Sequence, residues 1–93
     1  MKRHYIVGYD IADPRRLRRV AKIVEGFGVR VQYSFFHCCI STGQKKRLKS
    51  MVAKVIHEQE DQIMILPVTE RQLSEVEFLG FKMNLQAEGI III

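Results

Sequence analysis

Asp10 is the residue that most needs an explanation. It sits late in the segment His4 to Ile11 (HYIVGYDI), which is otherwise largely apolar and aromatic. A buried, unpaired carboxylate is costly, so an arginine or a cation would have to accompany it. The end of a strand also opens towards a loop, where partial exposure would relieve the cost. A carboxylate there can hold Mg²⁺ or Mn²⁺ through its hard oxygens. Such an ion activates water or stabilises a leaving oxygen. One carboxylate makes a poor metal site alone, but a homodimer would bring two copies of Asp10 together. A capping or salt-bridging aspartate is the ordinary alternative.

The next segment carries a second anomaly. In a helix, Arg15, Arg18, Arg19 and Lys22 share one face, with Arg16 at its margin. Cations near a helix N-terminus oppose the macrodipole, so stability does not account for them. A phosphate backbone does, because arginine meets phosphate with two parallel hydrogen bonds. A solvated helix face is the competing explanation for any single arginine. Arginines beside a metal-holding carboxylate point to phosphodiester chemistry.

Other residues fit plainer roles. Tyr9, Phe27, Tyr33, Phe35 and Phe36 could stack on bases, although core packing accounts for most of them. His37 suits a hydrogen-bonded strand histidine better than a general base. Ser34 suits a turn as well as a phosphate contact. Cys38 and Cys39 are adjacent rather than spaced as CxxC, so they read as small hydrophobes.

The elements that must position these groups follow from patterning. His4 to Ile11 alternates as a strand, with Tyr5, Val7, Tyr9 and Ile11 on one face and Ile6, Gly8 and Asp10 on the other. Asp13-Pro14 starts a helix, which runs to about Phe27 with Leu17, Val20, Ala21 and Val24 inward and Gly28 as a stop signal. Residues 29 to 41 read as two short strands, bent or reversed near Tyr33-Ser34. A second helix after Gly43 turns Leu48, Met51, Val52, Val55 and Ile56 inward. An acidic run, Glu58 to Asp61, leads into a strand from Gln62 to Thr69, where Pro67 demands an edge or a bulge. Glu70 to Leu79 reads as a helical turn and then a short strand.

The order β-α-β-β-α-β predicts one ferredoxin-like α+β domain over residues 1 to 93, an antiparallel sheet with both helices on one face. The first strand is apolar on both faces, so the uncovered face wants a partner, and a homodimer is the simplest one. The tail Ile90 to Ile93 wants a sheet edge. Exchange with a second subunit is the preferred expectation, against a tail folded back on its own domain.

An apolar fraction of 47% excludes a disordered chain. No apolar run is long enough for a membrane span, and no signal-peptide core follows the charged start, so a cytoplasmic protein is expected. A formal net charge of +5 fits a polyanionic partner or ordinary solubility.

The segment Tyr9-Asp10-Ile11-Ala12-Asp13, then Arg15-Arg16-Leu17, then Gly28-Val29-Arg30-Val31-Gln32-Tyr33-Ser34-Phe35-Phe36 closely resembles the Cas two family. This is the smaller of the two core CRISPR adaptation proteins. Val68-Thr69-Glu70-Arg71-Gln72 resembles the same family after its fourth strand. The resemblance implies a ferredoxin-like homodimer and a Mg²⁺-dependent endonuclease acting on single-stranded RNA or duplex DNA. It also implies a bridge between CRISPR integrase subunits during spacer acquisition in antiviral defence. The family's metal aspartate falls on Asp10, one from each subunit. Its basic helix positions fall on Arg15, Arg16 and Arg19, its strand-two arginine on Arg30, and its serine and aromatic on Ser34 and Phe36. His37 departs from the glutamate often found there, and the tail's pairing is not carried over.

Two other functions use the same residues. A non-catalytic scaffold could clamp DNA within an integration complex. A ferredoxin-like RNA-binding or regulatory domain is third, because Ser34-Phe35-Phe36-His37-Cys38 lacks the glycine pattern of an RNA-recognition motif.

Overall fold

A computed structural model describes residues 1–80. Strand β1 spans Lys2–Asp10, and its side chains alternate as the sequence predicts. Tyr5, Val7 and Tyr9 are buried, Ile6 is half-buried and Asp10 is exposed. Helix α1 (Pro14–Glu25), strands β2 (Val29–Gln32) and β3 (Phe35–Ser41), helix α2 (Thr42–Ala53), strand β4 (Gln62–Val68) and the short helix α3 (Glu70–Ser74) follow. β1 lies between β3 and β4, antiparallel to both, and β2 flanks β3. The order β2-β3-β1-β4 is the ferredoxin-like sheet.

Local signals explain the ends of the elements. The Asp13 carboxylate accepts the Arg16 N–H at 2.9 Å, and Pro14 occupies the first turn. α1 ends at Glu25, short of the expected Phe27. The N–H groups of Gly26 and Phe27 turn back to the Ile23 and Val24 carbonyls instead of extending the helix. Ser41 and Gln44 form a capping box that starts α2, and Thr69 and Gln72 form another that starts α3. The reversal between β2 and β3 falls at Tyr33-Ser34, as expected. Tyr33 takes a φ of 28° there without help from glycine. Pro67 sits on β4, which is an edge strand.

Two inward stripes are narrower than their sequence spacing suggests. On α1, Val20 and Val24 are fully buried, whereas Leu17 is 38% exposed. On α2, Leu48 and Val52 are buried, whereas Met51 is 39% exposed. Val55 and Ile56 lie past the end of α2, yet they pack against the core from the following turn. Met51 stands to one side of the Leu48–Val52 line and borders a groove between the helices, whereas Leu17 lies in the first turn of α1, at the end of its stripe. The helical turn expected after Thr69 is α3. The strand expected beyond it does not form among residues 75–80. The isoleucine tail, and with it the predicted C-terminal dimerisation strand, lies outside the described residues.

The core sits between the helices and one sheet face. Val7, Val20, Val24, Phe36, Cys38 and Leu48 are its most enclosed members. Full burial of one such aliphatic or aromatic side chain contributes about 1.5–3 kcal/mol. Burial also pushes the Cys38 thiol up to about 11, which suits a packing residue.

The other sheet face carries no helix among the described residues. Register places Ile6, Gly8 and Asp10 of β1 there beside Phe35 and His37 of β3 and Met64 and Leu66 of β4. Phe35, Met64 and Leu66 are 40%, 43% and 47% exposed. A Cβ on Gly8 would stand 2.7 Å from the Phe35 ring, so glycine is what lets that ring lie across β1.

Candidate nucleic-acid and metal site

Asp10 ends β1 opposite Gln62 of β4. It borders a shallow groove of about 150 Å³ lined by Gly8, Tyr9, Phe35, Gln62 and Met64. The carboxylate therefore stands at the margin of the helix-free apolar face. It is exposed and lies outside every ion pair among the described residues.

The loop after Asp10 is held by Asp61, the last residue of the acidic run that leads into β4. Asp61 has a completely buried side chain. Its Oδ1 accepts the Ala12 N–H at 2.9 Å and Arg16 Nη2 at 3.1 Å. Its Oδ2 accepts Arg16 Nε and the His57 N–H, each at 2.7 Å. The Arg16 guanidinium holds this carboxyl well below the usual carboxylate range, against the opposing effect of burial, and the His57 and Ala12 N–H groups add to it. One carboxylate thus ties the β1–α1 loop, the first turn of α1 and the turn before β4. The only hint in the sequence was an acidic residue directly preceding a strand.

This pairing corrects the expectation for Arg16, which was grouped with the phosphate-binding arginines. Two of its nitrogens are committed to Asp61, and Nη2 also lies 3.6 Å from Glu60. Its place at the margin of the basic face aims it at the core side of the helix. Arg15, Arg18, Arg19 and Lys22 are exposed, as a phosphate-binding face requires. Arg30 lies half-buried on β2, 3.3 Å from Glu25 and 5.0 Å above the centre of the Phe36 ring.

The supporting residues are mainly structural. Phe36 is fully buried and packs against Tyr9 at 6.0 Å between ring centres. Burial raises the Tyr9 phenol, while Arg30 acts in the opposite direction. The Ser34 carbonyl accepts the Tyr9 N–H at 3.2 Å and so ties the β2–β3 turn to the strand that carries Asp10.

His37 makes the hydrogen bond expected of a strand histidine. Its Nε2 lies 2.9 Å from His4 Nδ1, and the two rings stack at 5.1 Å. Burial, and then His4, lower the His37 pKa. His4 Nε2 reaches Glu70 at 3.4 Å. His37 stands opposite Ile6 in the middle of β1, and its ring is engaged with His4, towards the start of the strand.

Mg²⁺ is bound through oxygen ligands and usually keeps several waters. No group of three or more His, Cys, Asp or Glu side chains suited to a metal exists among the described residues. Asp13 caps a helix and Asp61 binds Arg16. At this end of the sheet, among the described residues, Asp10 is the aspartate left outside every ion pair and cap. It fits half of a two-carboxylate site, completed only if a second copy brings its own.

The arrangement defines a class: a ferredoxin-like α+β domain with an exposed carboxylate at a sheet end, beside the start of a basic helix. Residues 2–76 match the family model described as CRISPR associated protein Cas2, and the chain belongs to that family. It is 33% identical over 89 residues to a CRISPR-associated endoribonuclease Cas2 of Synechocystis, covering 96% of this chain and 97% of the relative. It is 30% identical over 92 residues to a CRISPR-associated endonuclease Cas2 of Halalkalibacterium halodurans, covering 94% and 96%. The crystal structure of Streptococcus pyogenes Cas2 superposes with a TM-score of 0.77 at 32% identity, covering 83% of this chain and 99% of that one. A hypothetical protein from Thermus thermophilus superposes with a TM-score of 0.79 at 31% identity, covering 89% and 96%.

Proposed function

We propose that this chain is a metal-dependent endonuclease that works as a homodimer in CRISPR spacer acquisition. The observation that carries this reading is Asp10: an exposed carboxylate, in no ion pair among the described residues, on the rim of an apolar sheet face, at the foot of a helix lined with Arg15, Arg18, Arg19 and Lys22. Pairing two copies through that face covers Phe35, Met64 and Leu66 and draws a second Asp10 towards the first. Two carboxylates then hold Mg²⁺ or Mn²⁺, which when bound activates water and stabilises the leaving oxygen. The exposed cations of α1 hold the phosphate backbone in register. Relatives named endoribonucleases and an endonuclease support phosphodiester cleavage, with RNA as the first substrate to try.

The test is cleavage of RNA and duplex DNA, with and without Mg²⁺, by wild type and Asp10→Asn. Asp10→Asn is expected to lose cleavage by a factor of about 10³ or more while keeping its affinity for nucleic acid, because one oxygen of each metal carboxylate is replaced by an amide. Cleavage surviving in purified Asp10→Asn would overturn this site.

A second reading, a non-catalytic DNA scaffold bridging an integrase subunit, draws on a specific observation. The basic face of α1 does not depend on Asp10, and the described residues hold no cluster of three or more metal-ligating side chains. Normal spacer acquisition by Asp10→Asn cells would favour it.

A further inference from the structure

The two helices leave a groove between them, on the side of the molecule away from the helix-free sheet face. Arg19, Lys22 and Ile23 of α1, then Phe27, then Arg47 and Met51 of α2 line it. Its volume of about 660 Å³ lies within the range of small-ligand sites, about 300–1,000 Å³. The lining is divided by chemistry. Arg19, Lys22 and Arg47 are exposed cations, and none belongs to an ion pair among the described residues. Among the described residues no carboxylate lines the groove. Between the cations lie Ile23, Phe27 and Met51, and the Arg47 guanidinium rests over the Phe27 ring at 5.5 Å.

These features are not explained by stability. Met51 belongs to the stripe that spacing predicts to be core, yet it is 39% exposed and faces this groove. Three unpaired cations around a concave site repel one another, and a polyanion relieves that repulsion. The groove is continuous with the basic face of α1 through Arg19 and Lys22, about 12 Å along the helix from its start at Pro14 to Lys22.

We propose that this groove is a subsite for an unpaired nucleotide of a single-stranded nucleic acid. Its phosphates lie against Arg19, Lys22 and Arg47, and its base lies against Met51 and the guanidinium plane held on Phe27. The proposal rests on the nucleic-acid reading above and adds to it a means of telling single strands from duplexes. A duplex keeps its bases stacked and paired, so it meets only the cations. An unstacked base also gains the apolar floor and the guanidinium plane. The groove stays open when two copies pair through the opposite face of the sheet.

The experiment is fluorescence anisotropy with a labelled twenty-nucleotide RNA, single-stranded or annealed to its complement. Wild type, Arg47→Gln and Met51→Ser are compared after circular dichroism has checked their folding. Both substitutions are expected to weaken single-strand binding about fivefold to tenfold, in line with the loss of a base-stacking contact. Duplex binding is expected to change less than twofold for Met51→Ser. If Met51→Ser binds the single strand like wild type, or weakens both RNAs equally, the groove proposal is overturned while nucleic-acid binding stands. Wild type binding neither RNA, nor the same sequences as DNA, overturns the nucleic-acid reading as well. Displacement of the single strand by an acidic, leucine-containing peptide would reassign the groove to a protein partner. Should Arg47→Gln unfold because it loses its seat on Phe27, Met51→Ser decides alone.

Discussion

The two faces of the sheet are built from neighbouring residues of the same strands, yet they have opposite characters. On β1, Tyr5, Val7 and Tyr9 are enclosed by the helices, while Ile6, Gly8 and Asp10 share the open face with Phe35, Met64 and Leu66. One face is finished within the chain. The other mixes Ile6, Phe35, Met64 and Leu66 with His4, Asp10, His37 and Gln62 and has no cover among the described residues. The difference separates stability from assembly: the covered face fixes the fold, and the open face is available to a partner and carries Asp10 at its rim.

The largest expected effect is on the covered face. Phe36→Ala should cost about 3–5 kcal/mol in urea denaturation, because it empties a fully enclosed site. Leu66→Lys, on the open face, should leave single-chain stability within about 0.5 kcal/mol and instead weaken self-association in sedimentation equilibrium. Equal destabilisation by both would erase the distinction.

Next comes the junction that holds the Asp10 end in place. Asp61→Asn removes the charge that Arg16 pairs with inside the fold, and the Tm should fall on the order of 10 °C. The pH dependence has a definite sign. The folded Asp61 carboxyl lies below its unfolded value, so its stabilisation is complete above the ordinary carboxylate range, about pH 4, and is lost as pH falls below it. Acid unfolding of Asp61→Asn should be less steep than that of wild type.

The smallest effect concerns the open face again. His37 is a base with a lowered pKa, so the fold favours its neutral form. Its contribution is present above its ordinary value, about 6.5, and is lost as pH falls below it. His37→Gln should flatten the fall in Tm between pH 7 and pH 5 by a few degrees. An unchanged slope would mean that His37 does not carry it.

Periodicity gave the strand and helix order because each element buries one regular stripe. Asp13-Pro14, the reversal at Tyr33-Ser34 and the edge position of β4 were legible because their signals are local. Asp10 and the exposed arginines of α1 were legible because they break the pattern around them. Asp61 was not. Its partners, Ala12 and Arg16, lie 49 and 45 residues away in sequence, and an acidic run reads as solvated. Arg16 was misplaced for the same reason, since its purpose is set by a residue that only the fold brings near. Leu17 and Met51 were misjudged because helical spacing gives the direction of a stripe but not its width.

Cys38 and Cys39 are consecutive on β3, one buried and the other exposed. Strand alternation thus sets two chemically identical thiols on opposite sides of the sheet. Cys38 is sealed in the core and slow to ionise, while Cys39 lies opposite His4 on the open face. An alkylating reagent will mark Cys39 in the native fold and Cys38 only when the molecule opens. The strand therefore carries its own pair of reporters, one for whether the open face is occupied and one for whether the domain has come apart.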